Sequence, residues 1–265
     1  MTLLSIPSVR DDAQATAEAP VGPGPKAALD QFLAFGERDG FVTKSVGNLA
    51  GHIAYGSGDE CVGIFGHVDV VPPGTGWDTD PFEPVIKEGR IYARGASDDK
   101  GPSIAAYYAM KIIKDLDLPL QKEIKFIIGT DEESGWQCMD CYLASEPMPD
   151  LGFSPDAEFP IINGEKGNAT YTVTGPLNQE DAPYILCSFT SGLRPNMVPE
   201  EARAVIQTHK DHSYEDIEAS FHKFIANEPV TGTLEKVDEH TVAVTIRGKA
   251  AHAQEPRGGY NAATY

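Results

Sequence analysis

The sequence predicts an α/β protein: a mixed, largely parallel sheet with flanking helices, followed by a smaller α+β domain. Three observations predict it. Strand-type and helix-type patterning alternate up to residue 130. Residues 123–130, EIKFIIGT, are a mostly apolar, β-branched run of the kind found in sheets covered on both faces. After Gly164 the texture changes to short strands interrupted by one amphipathic helix. A chain of 265 residues is long enough for two modest domains, each with a core of its own.

The elements follow in order. Between residues 26 and 38, Ala27, Leu29, Phe32, Leu33 and Phe35 recur at helical spacing, and Asp39-Gly40 ends the run. Short β-type runs at 41–46, 51–55 and 61–65 are separated by Gly/Asn/Ser/Asp turn clusters, and a Pro/Gly-rich loop covers 71–84. Residues 86–93 read as a hairpin about Glu88-Gly89. A second helix opens after Gly101-Pro102, runs through Ile104, Ala105, Tyr108, Ile112 and Leu116, and closes at Leu118-Pro119. The buried strand at 123–130 comes next. Beyond Gly164, residues 169–174, 184–189, 202–208, 231–237 and 241–247 read as strands and 214–226 as the amphipathic helix. The domains so predicted are 1–165 and 166–265.

Asp and Glu total 40 against 21 Lys and Arg, a net charge of −19. Such a field repels phosphate backbones and anionic lipid head groups, so nucleic acid and membrane surfaces are poor partners. No apolar stretch approaches the roughly 20 residues of a spanning helix. The start, MTLLSIPSVRDD, has neither the basic nor the long apolar region of a secretory leader, and the chain is expected in the cytoplasm. Cys138 and Cys141 form a C-x-x-C with no second pair and no thioredoxin-type context, and read as two incidental thiols on one helix.

The chemistry gathers in four acid-bearing segments. IFGHVDVVP places His67 and Asp69 two apart at a strand end, pointing to one face; one ring nitrogen of His67 is then free for a metal while Asp69 fixes the other. RGASDDKGP sets Asp98 and Asp99 in a turn before a helix. GTDEES puts Asp131, Glu132 and Glu133 directly after the buried strand, three carboxylates whose repulsion asks for a cation or water. GFSPDAEFP presents Asp156, with Glu158 two residues on. Taken singly, each reads as surface acid or helix cap. Together they all fall at carboxyl ends of strands, where open α/β sheets bind ligands. Imidazole plus carboxylates without a Cys₄ pattern suits Zn²⁺ or a related ion, and the surplus of carboxylates suits two ions about 3.5–4 Å apart sharing an oxygen ligand, a hydrolase centre.

The segments GHVDVVPPGTGWDTDPFEP, RGASDDKGP, GTDEESGW, SPDAEFP, GLRPNMVPEEA and KAAHAQEPRGGYNAA resemble the M20 (aminoacylase/carboxypeptidase-type) metallopeptidases, closest to their PepV-like (Xaa-His, carnosinase-type) dipeptidase branch. The resemblance implies a zinc-peptidase-type catalytic sheet, a ferredoxin-like lid, two Zn²⁺ ions and a dipeptide substrate. His67 and Asp156 would bind one zinc, Glu133 the other, and Asp98 would bridge both. Asp69 would orient His67, and the Asp98–Asp99 peptide would be cis. Glu132 would be the general base and acid. Asn196 and His252, in the lid, would reach over the substrate, the imidazole stabilising the oxyanion. For Asp99 and Lys100 no metal role is read. His52, His209, His212, His222 and His240 stand in no matching motif and read as structural or solvated.

The reaction implied is zinc-dependent hydrolysis of unblocked dipeptides, of Xaa-His or β-alanyl type, by water held between the two ions. Two other readings stand beside it: an amide hydrolase of the same family acting on N-acyl amino acids or succinyl-diaminopimelate, and an inactive fragment. Family members are longer, with a split catalytic domain, and the resemblance implies a chain cut at both ends, lacking a further zinc-binding His and a lid Arg.

Overall fold

Helix α1, Pro23–Arg38, has prolines in its first turn, where the missing N–H would be unbonded anyway. It ends at Asp39 and Gly40, the glycine taking a φ of +73°. The computed structural model in which it sits describes residues 1–74, 76–157, 160–164, 166–167, 169–176, 182–209 and 212–265. The chain divides into two units, Met1–Asn163 and Gly164–Tyr265.

In the first unit α1 is followed by β1 (Val42–Val46), β2 (Ala50–Tyr55), β3 (Cys61–His67), β4 (Val85–Lys87), β5 (Arg90–Tyr92), α2 (Lys100–Asp115), β6 (Glu123–Gly129), α3 (Gln137–Leu143) and β7 (Leu151–Phe153). Strands β4 and β5 are the expected hairpin, turning on Glu88 and Gly89, whose φ values of +53° and +72° are those of the turn that matches strand twist. Five strands form one sheet in the order β1-β2-β6-β3-β7. The neighbours β6, β3 and β7 are parallel, and the β1–β2 hairpin joins β6 antiparallel. Strands β3 and β6 finish level, His67 standing opposite Gly129.

The apolar run of β6 has its explanation in the layers on either side. Phe126 and Ile128 enter a cluster with Leu29 and Phe32 of α1 and Tyr107 and Met110 of α2, whereas Ile127 packs with Cys138 and Tyr142 of α3. A strand covered on both faces has no polar side to show. The Phe32 ring meets Phe126 and Tyr107 edge-on, at centroid distances of 5.0 and 5.9 Å, the arrangement aromatic quadrupoles favour. Cys138 and Cys141 lie on α3, and Cys61, Cys138, Cys141 and Cys187 are all free thiols.

The second unit holds β8 (Tyr184–Ser191), β9 (Met197–Val198), β10 (Glu201–Thr208), α4 (Tyr214–Ile225), β11 (Thr231–Lys236), β12 (Thr241–Arg247) and β13 (Ala251–His252). Its four-stranded antiparallel sheet has the order β11-β12-β10-β8. Ser213 and Asp216 cap α4 reciprocally. The run β10-α4-β11-β12 reproduces the split βαβ of ferredoxin-like sheets, and β8 takes the edge beside β10. One expectation fails: residues 169–174 do not form a strand, and Tyr171 and Val173 are 85% and 91% exposed. Alternation without a partner ladder leaves backbone groups to water. Among the described residues no helix is long and apolar enough to cross a membrane.

Candidate active site

Because β3, β6 and β7 are parallel, their carboxyl ends open on one edge of the sheet, and the segments that follow them converge there. His67, the last residue of β3, is 2% exposed. Its Nε2 lies 3.1 Å from Asp98 Oδ1, 3.4 Å from Asp156 Oδ2 and 3.9 Å from Glu132 Oε2. Its Nδ1 faces Asp69, 3.1 Å from the main-chain oxygen and 3.3 Å from Oδ1. The Asp69 carboxylate also accepts the backbone N–H of Glu132 and of Glu133, at 3.2 and 3.1 Å. One buried carboxylate thus sets both the ring of His67 and the loop after β6.

Among the described residues, two groups of side chains have ligand-capable atoms within 4.8 Å of one another: His67, Asp98 and Glu133, and His67, Asp99 and Asp156. Asp99 was assigned no metal role from the sequence. It is fully buried; its Oδ2 accepts the backbone N–H of His67 at 3.1 Å and the hydroxyl of Ser103 at 2.7 Å, while Oδ1 has no hydrogen-bond partner. The Asp98–Asp99 peptide is cis. Asp131, in contrast, does not join the cluster of acids: its carboxylate is wholly buried and turned to the start of α3. Glu158 lies outside the described residues.

The electrostatics are those of crowded anions around one imidazole. Burial alone would lower the pKa of the His67 ring, but hydrogen bonding to Asp156, Asp69 and Asp98 outweighs it and raises it above its ordinary value. Hydrogen bonding to His67 holds Asp98 low. Burial, with Asp98 adding repulsion, pushes Glu133 up to about 8; burial raises Asp99 to about 7 and raises Glu132 as well. Arg94, its guanidinium stacked 5.4 Å from the Trp77 ring centroid, is a cation whose charge acts on Asp98 and Glu133. A set of oxygen and imidazole donors, short of positive charge and holding a buried carboxylate oxygen without a partner, fits divalent cations. Arg94 and Asp99 were both missed as site residues, since neither carries a local signal beyond its motif.

The sequence model of peptidase family M20/M25/M40 matches residues 63–264. The chain belongs to this family. A Staphylococcus aureus protein (strain bovine RF122 / ET3-1) named as an inferred dipeptidase is 49% identical over 266 residues, covering 99% of this chain and 56% of the relative. A Staphylococcus saprophyticus protein of the same name has the same identity and coverage. The chain spans about half the length of these curated relatives, 56%. Among solved structures, human carnosine dipeptidase 1 is 24% identical, with a TM-score of 0.47 over 59% of this chain and 37% of its own. An M20 family metallo-carboxypeptidase of Sulfolobus solfataricus is 23% identical, with a TM-score of 0.48 over 59% and 36%.

Membership of a metallopeptidase family implies a divalent metal, which the donor set described above fits. Beside it, in the first unit, a cavity of 400 Å³ is walled by Phe65, Trp136, Met139 and Leu143 and reaches His67, Glu132 and Asp156. Asn196 and His252 belong to the second unit, where β9 and β13 bring them together: His252 pairs with Met197, and the Ala253 N–H donates to the Asn196 carbonyl at 2.8 Å.

Proposed function

We propose that the chain carries the catalytic carboxylates of a zinc-dependent dipeptidase that hydrolyses unblocked dipeptides, Xaa-His and β-alanyl peptides among them. The observation that carries the reading is the ring of His67, met at Nε2 by carboxylates from three separate segments and backed at Nδ1 by Asp69. In this reading His67 and Asp156 hold one Zn²⁺, Glu133 holds a second, and Asp98 serves both. When bound, the ions polarise the scissile carbonyl and make water acidic enough to attack at neutral pH.

The protein's own groups do the rest. Asp69 fixes the His67 tautomer. Glu132, which points toward the same cluster, takes the proton of the attacking water and delivers it to the leaving amine. Its upward-shifted carboxyl suits a group that both accepts and donates. The family resemblance would give Asn196 and His252, both of the second unit, the role of binding the substrate and the developing oxyanion. A cytoplasmic setting goes with the reading, since all four cysteines are free thiols. The two-ion count, the zinc and the Xaa-His preference rest on the donor set and on family kinship.

Zinc titration of the chain, with hydrolysis of alanyl-histidine and β-alanyl-histidine compared against N-acetyl amino acids, tests this. Zinc uptake that Asp98→Ala abolishes, with dipeptides cleaved faster than acylated compounds, is the expected result. Preference for the N-acyl compounds would move the protein to the deacylases of the family.

A further inference from the structure

Every backbone N–H from Glu132 to Cys138 is taken by one of two aspartates. The carboxylate of Asp69 takes those of Glu132 and Glu133. The main-chain oxygen of Asp131 takes those of Ser134, Gly135 and Trp136, at 3.2, 2.9 and 3.0 Å. The carboxylate of Asp131 takes those of Gln137 and Cys138, at 3.0 and 2.9 Å. The loop that presents Glu132 and Glu133 is therefore wound about Asp131 on one side and tied to Asp69 on the other.

Asp131 is fully buried, and its countercharge comes from far away in the chain. Arg10 Nη1 lies 3.4 Å from Asp131 Oδ2 and 3.3 Å from the Ser134 hydroxyl. The fit is close: a Cβ on Gly135 would stand 3.1 Å from Arg10 Nη1 and 3.2 Å from Asp131 Oδ2. The segment that carries Arg10 is itself laced to two of the other three site segments. The Ser8 hydroxyl donates to the Val68 carbonyl at 2.6 Å, the Val70 N–H donates to the Ser8 carbonyl at 3.1 Å, and Lys100 Nζ donates to the Ile6 carbonyl at 2.7 Å. Residues 6–10 thus touch the loop after His67, the start of α2 after Asp99, and the turn after β6.

We propose that Asp131, with Arg10 as its countercharge, is the positioning pair that aims Glu132 and Glu133 at His67. The inference rests on the reading that those two glutamates serve the metal site. A buried carboxylate deprived of its cation is left uncompensated and is drawn toward water. That movement pulls it from the N–H groups of Gln137 and Cys138, loosens the turn, and leaves Asp69 alone to hold the two glutamates.

The test uses the 265-residue chain, with Arg10→Leu, Arg10→Lys and Asp131→Asn variants. Three quantities are read on each: Zn²⁺ affinity by titration calorimetry, hydrogen exchange of the Glu132 and Glu133 amides, and the melting temperature. Arg10→Leu and Asp131→Asn are expected to weaken Zn²⁺ about 10-fold or more, as disturbed outer-shell partners do. Both amides should exchange faster, and Arg10→Lys should restore most of each effect. Should Asp131→Asn not fold, Arg10→Leu, which alters a side chain at the edge of the core, carries the same comparison. Unchanged zinc affinity and amide exchange with a lowered melting temperature would reduce the pair to a cap on α3 and overturn the proposal. If the parent chain takes up no Zn²⁺, the metal reading fails, and amide exchange alone decides whether Asp131 and Arg10 hold the turn.

Discussion

Nδ1 of His67 and Oδ1 of Asp69 stand 3.3 Å apart, and the same carboxylate receives the backbone N–H of Glu132 and Glu133. Asp69 therefore couples a ring to a loop 63 residues further along. Asp69→Asn puts an amide NH₂ where one of these donors needs an acceptor. Zinc affinity should fall by about 10–100-fold, the usual range for such partners, with a smaller change in melting temperature. Competition with a chromophoric chelator measures it, and unaltered affinity would remove Asp69 from the site's support.

Adjacent glutamates should separate into two kinds of loss. Glu133 falls in a ligand-capable group with His67 and Asp98, whereas Glu132 does not. Glu132→Gln should keep bound zinc while cutting dipeptide turnover by about 10²–10⁴-fold, the range of a lost general base. Glu133→Gln should lower the zinc stoichiometry itself. Metal analysis beside initial rates distinguishes them, and equal metal loss in both would mean that base and ligand have been confused.

Much of this site could be read from the sequence because its residues come in contiguous motifs at strand ends. His67, Glu132 and Asp156 gather because β3, β6 and β7 are parallel, and the alternation of strand and helix foretold that parallelism; Asp98, also expected at the end of a sheet strand, comes instead from the turn that opens α2, after the separate β4–β5 hairpin. What was illegible depends on side-chain direction or on partners distant in sequence. Asp131 differs from Glu132 by one position, yet it points to α3 and Arg10. The burial of Asp99, with one oxygen unmatched, is a property of how α2 meets β3. Residues 169–174 have local strand character but, among the described residues, no strand paired with them, and local propensity does not supply a ladder.

His52 makes one element of stability depend on pH. It is buried on β2, and its Nδ1 is hydrogen-bonded with the Tyr142 hydroxyl at 2.8 Å. Burial lowers its pKa, helped by Lys125 and Lys44 and opposed by Glu146 and Glu123. The unfolded chain, with an ordinary histidine near 6.5, then binds the proton more readily than the fold. Stability rises with pH through this window and is lost as pH falls below about 6.5, by at most about 1.4 kcal/mol per pH unit for one such group. Melting curves at pH 7 and pH 5 should show a smaller drop for His52→Gln than for the parent. An identical drop would assign the loss to other groups.

Gly66, one residue before the site histidine, tests how tightly β3 is pressed against α2. A Cβ there would lie 2.3 Å from Ser103 Oγ, 3.0 Å from Asp99 Oδ2 and 3.1 Å from Phe126 Cε2. Real side chains do not approach so closely, and none of these neighbours is a free surface group. Ser103 and Asp99 are hydrogen-bonded to each other at 2.7 Å, and Asp99 also holds the backbone of His67. Gly66→Ala must therefore push α2 away or turn Asp99, and either movement carries the His67 backbone with it. Overpacking of this kind costs about 1–3 kcal/mol, and zinc affinity should fall with stability. Ser103→Ala alone removes one hydrogen bond to Asp99, a loss of about 1 kcal/mol. In the double variant the worst clash is gone, so its destabilisation should be less than the sum of the two single changes. Denaturant midpoints of the four proteins give that coupling, and strict additivity would show that Gly66 is kept for a reason other than the approach of Ser103.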